Sequence, residues 1–489
     1  MTGLSKSRIT LHRQCPKRLW LKLYRPEYET IDESQSDLFN MGESVGDIAR
    51  RLYPSGMLID ESKLSDALEQ TSTLIAQLNK PIFEATFAWR GTLVRADLLL
   101  PDDDGWRMVE VKASTSVKPY HLEDAAIQAY VMVQNDIKLN LTQIAHINNR
   151  FVYQGDGNYD GLFTYTDVSE AVNQLAVTVP QWVSEALNTV NQTTEPQIAV
   201  GQQCNNPFEC SFRRYCDPDA FEPIATTSVK VLPRGGRFAQ SLIEQGKANL
   251  LELDENDLPK PVFQRIWRTL QTGQAELDSQ AKAIIEGLPY PYYHIDFETI
   301  NLAIPVWAGT RPYQQVPFQW SCHIQTPDTM THHAFLGDGL SDPRREFTES
   351  LLATLGTEGT IFVYNAAFEK TRLQEIAQAF PEHQSAIDAL MPRIFDLLPL
   401  MRNHYYHPDM KGSWSIKAVL PSIAPDLSYK NLTVGHGGAA MEAFAEMMKA
   451  ETTQERRAEL YQALLDYCEL DTLAMVRIVD YVKKESMCE

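Results

Sequence analysis

Apolar positions along the chain recur with two periods, and the switches between them mark its elements. Residues 5–24, SKSRITLHRQCPKRLWLKLY, open with serine capping signals and continue with helical spacing, and Pro16 is placed to bend or end the first half. Residues 36–53 carry Phe39, Val45, Ile48, Ala49 and Leu52 on one side of a second helix, and 63–79 read as a third. Period-two alternation then predicts strands over 82–90, 92–100 and 106–113. A helix over 121–135, strands over 141–149 and 151–155, and a helix from about Asp167 to Leu187 follow. This order predicts a mixed sheet flanked by helices. Residues 217–290 are broken by Pro218, Pro223, Pro233, Gly235 and Gly236 around a helical middle with a turn at Gly246. Beyond them an apolar strand leads to Asp296 and Glu298, a second strand from Ile361 runs into a helix that Asn365 is placed to cap, and 459–482 form a long last helix.

Length and composition bound the chain more than they specify it. At 489 residues it is too long for one core, so two or three domains are expected. Its 44% apolar and 22% charged residues are those of an ordinary globular protein, and no run of about 18 apolar residues predicts a membrane span. The first residues lack an apolar signal region, and with seven cysteines this predicts a reducing cytoplasm. A net charge of −20 argues against nucleic acid, but the first 26 residues hold Lys6, Arg8, Arg13, Lys17, Arg18, Lys22 and Arg25 and no acid, and Arg213 and Arg214 add to them. A basic path on an acidic body can hold a polyanion; a merely solvated basic helix is the alternative.

The first candidate chemistry lies where two predicted strands meet at an acidic turn. Asp97 ends one polar position into the first, and Glu110 and Lys112 share a face of the second. Two carboxylates and an ammonium are the minimum for metal-assisted phosphodiester hydrolysis, in which carboxylates hold the cation and the lysine orients water or meets developing charge. A solvated hairpin with an incidental E-x-K is the other reading. Farther on, Cys204, Cys210 and Cys216 follow a C-x5-C-x5-C spacing, and Cys15, next to Pro16, is the natural fourth thiol. Four thiolates suit zinc or an iron–sulfur cluster, and the lack of C-x2-C knuckles favours the cluster.

The last third carries a second set. Asp296 and Glu298 fall on one strand face, Glu369 lies one turn into the helix after Asn365, and Tyr467 and Asp471 are i and i+4 on the last helix. Four carboxylates gathered together would repel unless cations held them, and a pair of divalent ions is what such groups bind. Asp396, in Ile394-Phe-Asp396-Leu-Leu-Pro-Leu, is expected to cap a helix. Trp307, Tyr313, Phe318 and Trp320 would either stack on bases of a single strand or pack the core.

These motifs resemble known families. CPKRLW, D…E-V-K, Gln128-x-Tyr130 and the three-cysteine loop are similar to RecB-type PD-(D/E)XK nucleases, closest to CRISPR-associated members with a 4Fe-4S cluster. Over residues 1–220 the resemblance implies Asp97 and Glu110 as metal ligands, Lys112 as the catalytic lysine, and Gln128 and Tyr130 as helpers near the phosphate. Two positions depart from the pattern. Gly46 stands where many relatives have a histidine ligand, which leaves Glu84 or water to supply it, and Q-x-Y replaces Q-x-x-x-Y. Residues 288–489 resemble the DEDDy branch of DnaQ-type 3′–5′ exonucleases, through D-x-E, N-x-x-F-E and Y-x-x-x-D, with Glu369 in place of an aspartate. That likeness implies a ribonuclease H-like α/β domain in which Asp296, Glu298, Glu369 and Asp471 hold Mg2+ or Mn2+ and Tyr467 positions the attacking water. Residues 221–287 are expected as a packed helical linker, with a weaker similarity to helix-hairpin-helix modules. The layout as a whole is similar to a bacterial family whose C-terminal part is a domain of unknown function.

The expectation is an α/β protein: a PD-(D/E)XK restriction-endonuclease-like mixed sheet with helices, then the linker, then the exonuclease domain. Its substrate would be nucleic acid, most simply DNA with a single-stranded end, in DNA processing, repair or defence. Lys6, Arg8, Lys17, Arg18, Arg213 and Arg214 would lie along it. Two alternatives stay open: a catalytically decayed binding or redox-sensing scaffold, and an exonuclease directed at RNA.

Overall fold

The computed structural model describes residues 4–30, 33–77 and 79–484, the side chains of 33–41 and 431 apart, so the side chain of Phe39 and all of Cys488 lie outside the described residues. It divides into two compact units, Met1–Glu222 with Leu302–Tyr313, and Pro223–Asn301 with Gln314–Glu489. Both are mixed α/β. Among the described residues, no helix is long and apolar enough to cross a membrane.

In the first unit the predicted break at Pro16 is real. Helix Lys6–Gln14 is capped by Ser5, whose side chain accepts from the Arg8 N–H, and ends at an extended Cys15, after which Pro16–Tyr24 begins a new helix with proline in its first turn. Among the described residues seven strands form its sheet, of which β3 to β6 fall on predicted runs: β1 (Leu4–Ser5), β2 (Met57–Leu58), β3 (Ile82–Trp89), β4 (Thr92–Asp102), β5 (Gly105–Lys112), β6 (Leu139–Ile147) and β7 (Phe163–Asp167). Their order is β2-β3-β4-β5-β6-β7, with β1 parallel to β4. Strands β3, β4 and β5 run antiparallel, and β6 returns parallel to β5 after helix Pro119–Val133. Ile82, Val94, Leu99 and Met108 from the sheet pack with Ala125, Ala129 and Trp182 from helices.

Two expectations fail here. Residues 151–155 form no strand. Tyr153 is buried and stacks on Tyr159 at 4.9 Å, and its N–H goes to the Thr310 carbonyl rather than to a ladder, while Phe163–Asp167 takes the edge of the sheet. The helix expected over 167–187 is two, Ser169–Ala176 and Val179–Val190, because Pro180 opens the second.

The second unit holds β8 (Glu276–Leu277), β9 (Tyr292–Ile300), β10 (Val316–Gln325), β11 (Met330–Leu336), β12 (Thr360–Val363), β13 (Ile394–Asp396) and β14 (Tyr405–Tyr406). Five form a sheet in the order β11-β10-β9-β12-β13, antiparallel at β11-β10-β9 and parallel at β9-β12-β13, and β8 pairs with β14. The 31-residue helix Gln454–Lys484 lies across it. The Gln319 amide donates to the Leu464 carbonyl at 2.7 Å, and Ser321 and His323 each meet the Thr472 hydroxyl at 2.8 Å, which sets the rotation of that helix on β10.

Residues 223–287 are packed along their length. Val229, Val231, Leu232, Leu250, Phe263 and Ile266 pack into one core with Tyr292, Phe362, Leu397 and Tyr405. Their helices, Gly236–Glu244 and Pro261–Thr272, are amphipathic enough to need that partner. Phe318 and Trp320 are core residues at 0% and 2% exposure, Trp307 is also buried, and the Tyr313 hydroxyl donates to the Ala113 carbonyl, so base stacking by this group is set aside.

Candidate functional site

Strand β9 ends its apolar run with Asp296 and Glu298 on one face, as alternation requires. The rotation of the last helix brings Asp471 to them. Donor oxygens of Asp296, Glu298 and Asp471 lie within 4.8 Å of one another, in a set that, among the described residues, is the one group of three metal-ligating side chains this close. Glu369, from helix Ala367–Ala379, lines the same cavity of about 290 Å³ with Tyr467, Lys417, Tyr364 and Asn365. Its Oε2 is buried and has no hydrogen-bond partner among the described residues.

Asn365 is not the cap expected of it. It takes a left-handed φ of 83°, and Ala366 is the cap residue. Asp396 holds this turn, accepting from the N–H groups of Asn365 (2.9 Å), Ala366 (3.0 Å) and Leu398 (3.0 Å), which fits its expected role as the cap of helix Leu397–His404.

The electrostatics are those of too many acids in too little water. Burial, with the charges of Asp471, Glu298 and Glu369, drives the Asp296 carboxyl well above the usual range. Burial and Asp471 push Glu298 up to about 8. Burial pushes Glu369 up to about 8 and Asp471 up to about 6, the last moderated by the Tyr429 hydroxyl, Lys417 and Tyr467. Two of these residues escaped the sequence reading. Tyr429 donates to Asp471 Oδ1 at 2.6 Å, and Lys417 sits over the rings of Tyr429 and Tyr467 at 4.9 and 5.3 Å while donating to the Gly435 carbonyl. Lys417 falls inside the SWSIKAVLP helix, where a lysine at a face position carries no signal until the fold turns it toward the acids.

In the first unit the expected residues also converge, with a different result. Strand pairing runs Phe83↔Leu98 then Ala85↔Ala96, and β4–β5 pairing starts at Leu98↔Val109. Glu84, Asp97 and Glu110 therefore occupy one level across three strands where the ladder opens, and Glu84 takes φ 57° there. Asp97 Oδ2 accepts from the Val111 N–H at 2.7 Å. Glu110 is 2% exposed, and both its oxygens are taken. Oε1 receives Lys6 Nζ at 2.7 Å and Lys112 Nζ at 2.8 Å, and Oε2 receives the Gln128 amide. Lys112 also reaches Asp124 at 2.8 Å, which Thr10 holds at 3.2 Å.

Burial alone would raise Glu110, but Lys112 and Lys6 outweigh it and hold the carboxyl below its usual range, while burial and the Glu110 charge push Asp97 up to about 7. Tyr130 packs against the core from the same helix as Gln128. Where relatives' histidine is expected, a Cβ on Gly46 would meet the Arg50 guanidinium at 3.6 Å, and Arg50 pairs with Glu84 at 3.5 Å. Ammonium and guanidinium groups stand around these acids.

The basic path read from the N-terminal helices is largely neutralised within the unit. Lys6 is spent on Glu110, Lys17 pairs with Glu195 at 2.7 Å, Arg213 with Asp217 at 3.3 Å, Arg18 bonds Gln14, and Arg214 lies over Phe221. Arg8 is exposed. Cys15, Cys204, Cys210 and Cys216 line one small cavity beside Leu21 and Phe212, and their sulfurs do not close into a set of three within 4.8 Å. One zinc would need thiolates within about 3.8 Å of each other, given a Zn–S bond of about 2.3 Å. Burial pushes the Cys210 and Cys216 thiols up.

Residues 293–415 match a family described as a domain of unknown function, DUF2779. The chain is 25% identical over 243 residues to the uncharacterized protein UU173 of Ureaplasma parvum, covering 45% of this chain and 35% of that one. It is 26% identical over 241 residues to the uncharacterized MG366 homolog of Mycoplasma pneumoniae, covering 45% and 36%. The chain thus spans about a third of the length of these relatives. Among solved structures, that of SSO0001 aligns with a TM-score of 0.23 and 15% identity, over 44% of this chain and 87% of that one.

Proposed function

We propose that the second unit is a metal-dependent phosphodiesterase acting on nucleic acid, a 3′–5′ exonuclease of the DEDDy kind on a ribonuclease H-like sheet. The observation that carries this reading is the meeting of Asp296, Glu298 and Asp471 within 4.8 Å, with Glu369 orphaned and Tyr467 beside them. All are hard oxygen donors, which suit Mg2+ or Mn2+ rather than a thiophilic ion. Asp296, Glu298, Asp471 and Glu369 would hold such ions, which supply a nucleophilic water and charge neutralisation at phosphorus. Tyr467 keeps its proton, since burial and the acids raise its pKa, and so orients water as a hydrogen-bonding hydroxyl. Lys417 places a positive charge at the pocket wall, where it favours a phosphate over the bare acids.

For the first unit the RecB-like resemblance remains our reading of the fold, but the two ammoniums on Glu110 favour the binding-scaffold alternative for its chemistry. A cation would have to displace Lys6 before Glu110 could ligate it. Purified full-length chain with Mn2+ and 5′-labelled single strands of DNA and of RNA tests both units at once. Degradation should vanish in Asp296→Ala and persist in Glu110→Ala; loss in Glu110→Ala alone would move the activity to the first unit. DNA repair or defence is the setting this activity would serve.

We further propose that the four cysteines hold a 4Fe-4S cluster, supported by their lining one cavity. Anaerobically purified protein should be brown, contain iron and lose its colour in Cys204→Ala. A colourless, zinc-loaded protein overturns this assignment.

A further inference from the structure

Next to the acidic pocket lies a second, larger cavity of about 670 Å³, in the same unit. The two share Tyr364, Asn365 and Ile416 in their walls, so they adjoin. Their charges are opposite. No carboxylate lines the larger cavity, but Arg234, Lys260 and Arg402 do, all three exposed. None of the three makes an ion pair with a carboxylate among the described residues; Lys260 rests over the Phe263 ring at 4.8 Å. On a chain of net charge −20, three unneutralised cations around an acid-free hollow amount to a strong local field.

The walls are fixed from three directions. Arg234 has a left-handed φ of 50° ahead of Gly235 and Gly236. Its segment is anchored where Gly412, φ 79°, packs so closely that a Cβ there would fall 1.7 Å from the Val231 carbonyl oxygen. Lys260 precedes helix Pro261–Thr272, and Arg402 lies on helix Leu397–His404. The Tyr364 hydroxyl donates to the Trp414 carbonyl at 2.6 Å and pins the rim shared with the acids.

We propose that this cavity is the groove for the sugar-phosphate backbone of a single-stranded polynucleotide, holding the nucleotides adjoining the one on the acidic cluster. The proposal rests on the phosphodiesterase reading of that cluster and adds the specificity it lacks. Acids alone would repel a polyanion, so the strand needs cations one or two phosphates away to stay bound. The groove predicts a preference for strands over dinucleotides, and it is built partly by residues 223–287, so those residues serve recognition rather than spacing.

The test is binding of fluorescein-labelled dT20 and rU20 to the full chain in EDTA, where no turnover occurs, followed across a salt titration. For single strands each neutralised phosphate contributes a slope of about −0.7 in log K against log salt. The triple variant Arg234→Ala, Lys260→Ala, Arg402→Ala is expected to reduce the slope by about 2 and weaken binding at least tenfold, with an unchanged melting temperature. Arg402→Glu alone should weaken binding more than Arg402→Ala, a reversal that a folding defect would not produce. Wild-type affinity and slope in the triple variant overturn the proposal, as does no binding by the wild type or competition by dT2 equal to that by dT20. Because binding is read without turnover, an inactive protein whose dT20 affinity still falls in the triple variant refutes the phosphodiesterase reading and leaves the groove standing. Activity in Mn2+ with the groove variant unaffected does the reverse. A difference between dT20 and rU20 identifies which polynucleotide the groove prefers.

Discussion

Asp296→Asn is expected to lose Mn2+-supported strand degradation by on the order of 10³-fold or more and, in EDTA at pH 8, to melt higher than the wild type. The second effect follows from where the carboxyl groups titrate. Glu298 and Glu369 are pushed up to about 8 and Asp471 to about 6, and Asp296 is raised well above the usual range by burial and its neighbours. Below about pH 3 these groups are protonated in folded and unfolded chains alike and cost nothing. As pH rises through the ordinary carboxylate range the unfolded chain ionises first, so folded stability falls until the buried groups ionise in turn, Asp471 at about 6 and Glu298 and Glu369 at about 8.

On the proposed metal reading a divalent cation would reverse this loss, because it would bind the ionised cluster and not the unfolded chain. At a hundredfold excess over its dissociation constant the gain is about 2.7 kcal/mol, a melting shift of roughly 5–10 °C for a unit of this size. Differential scanning calorimetry should find that shift at pH 8, a much smaller one at pH 5, and none in Asp296→Asn. A wild-type protein whose melting ignores Mn2+ at pH 8 has no metal centre at these acids.

How much of this could be read along the chain depends on the range of each interaction. D-x-E and Y-x-x-x-D were legible because strand and helix periods place their members on one face without help from the rest of the fold. The pairing of β4 with β5 followed from two alternating runs and an acidic turn. Lys6 was legible as a charge but not as a partner of Glu110, since 104 residues separate them and the contact depends on β1 lying against β4. Arg50 near Gly46 was hidden for a related reason: an absent histidine says nothing about which side chain fills the space.

Tyr429 and Lys417 come from segments whose local pattern is that of ordinary helix and loop, and only the packing around Asp471 gives them a role. The same holds for residues 223–287. Prolines and glycines mark them as a broken, packed linker, but the pattern does not say what Val231, Leu250 and Phe263 pack against, which is the sheet that carries Asp296. The aromatic residues after β9 went the other way. Their spacing suited a stacking platform, but Phe318 and Trp320 lie on β10, which has a neighbour on either side and helices over it, so core packing claims them.

The chemically matched change in the first unit, Glu110→Gln, should have the opposite sign to Asp296→Asn. Glu110 is an anion in credit: Lys6 at 2.7 Å and Lys112 at 2.8 Å share one of its oxygens, and its pKa lies below the usual range because their attraction exceeds the penalty of burial. Its contribution is complete above the ordinary glutamate value and fades only as pH falls through that value toward the depressed one. Removing the charge at pH 7 leaves two ammoniums side by side with Asp124 as the remaining close counter-ion. Breaking a buried pair in this way costs about 3–5 kcal/mol, which for a unit of this size lowers the melting temperature by roughly 10 °C. The loss should shrink below pH 4.5, where the wild-type carboxyl begins to lose its own advantage. Lys6→Met is the milder variant, since Lys112 still satisfies Glu110. If Glu110 were instead an acid waiting for a metal, Glu110→Gln would relieve repulsion and stabilise the metal-free chain, as Asp296→Asn does. Equilibrium unfolding of the two variants side by side in EDTA at pH 7 and pH 8 therefore decides, by sign alone, which of the two acidic clusters is built to receive a cation and which is already closed by lysine.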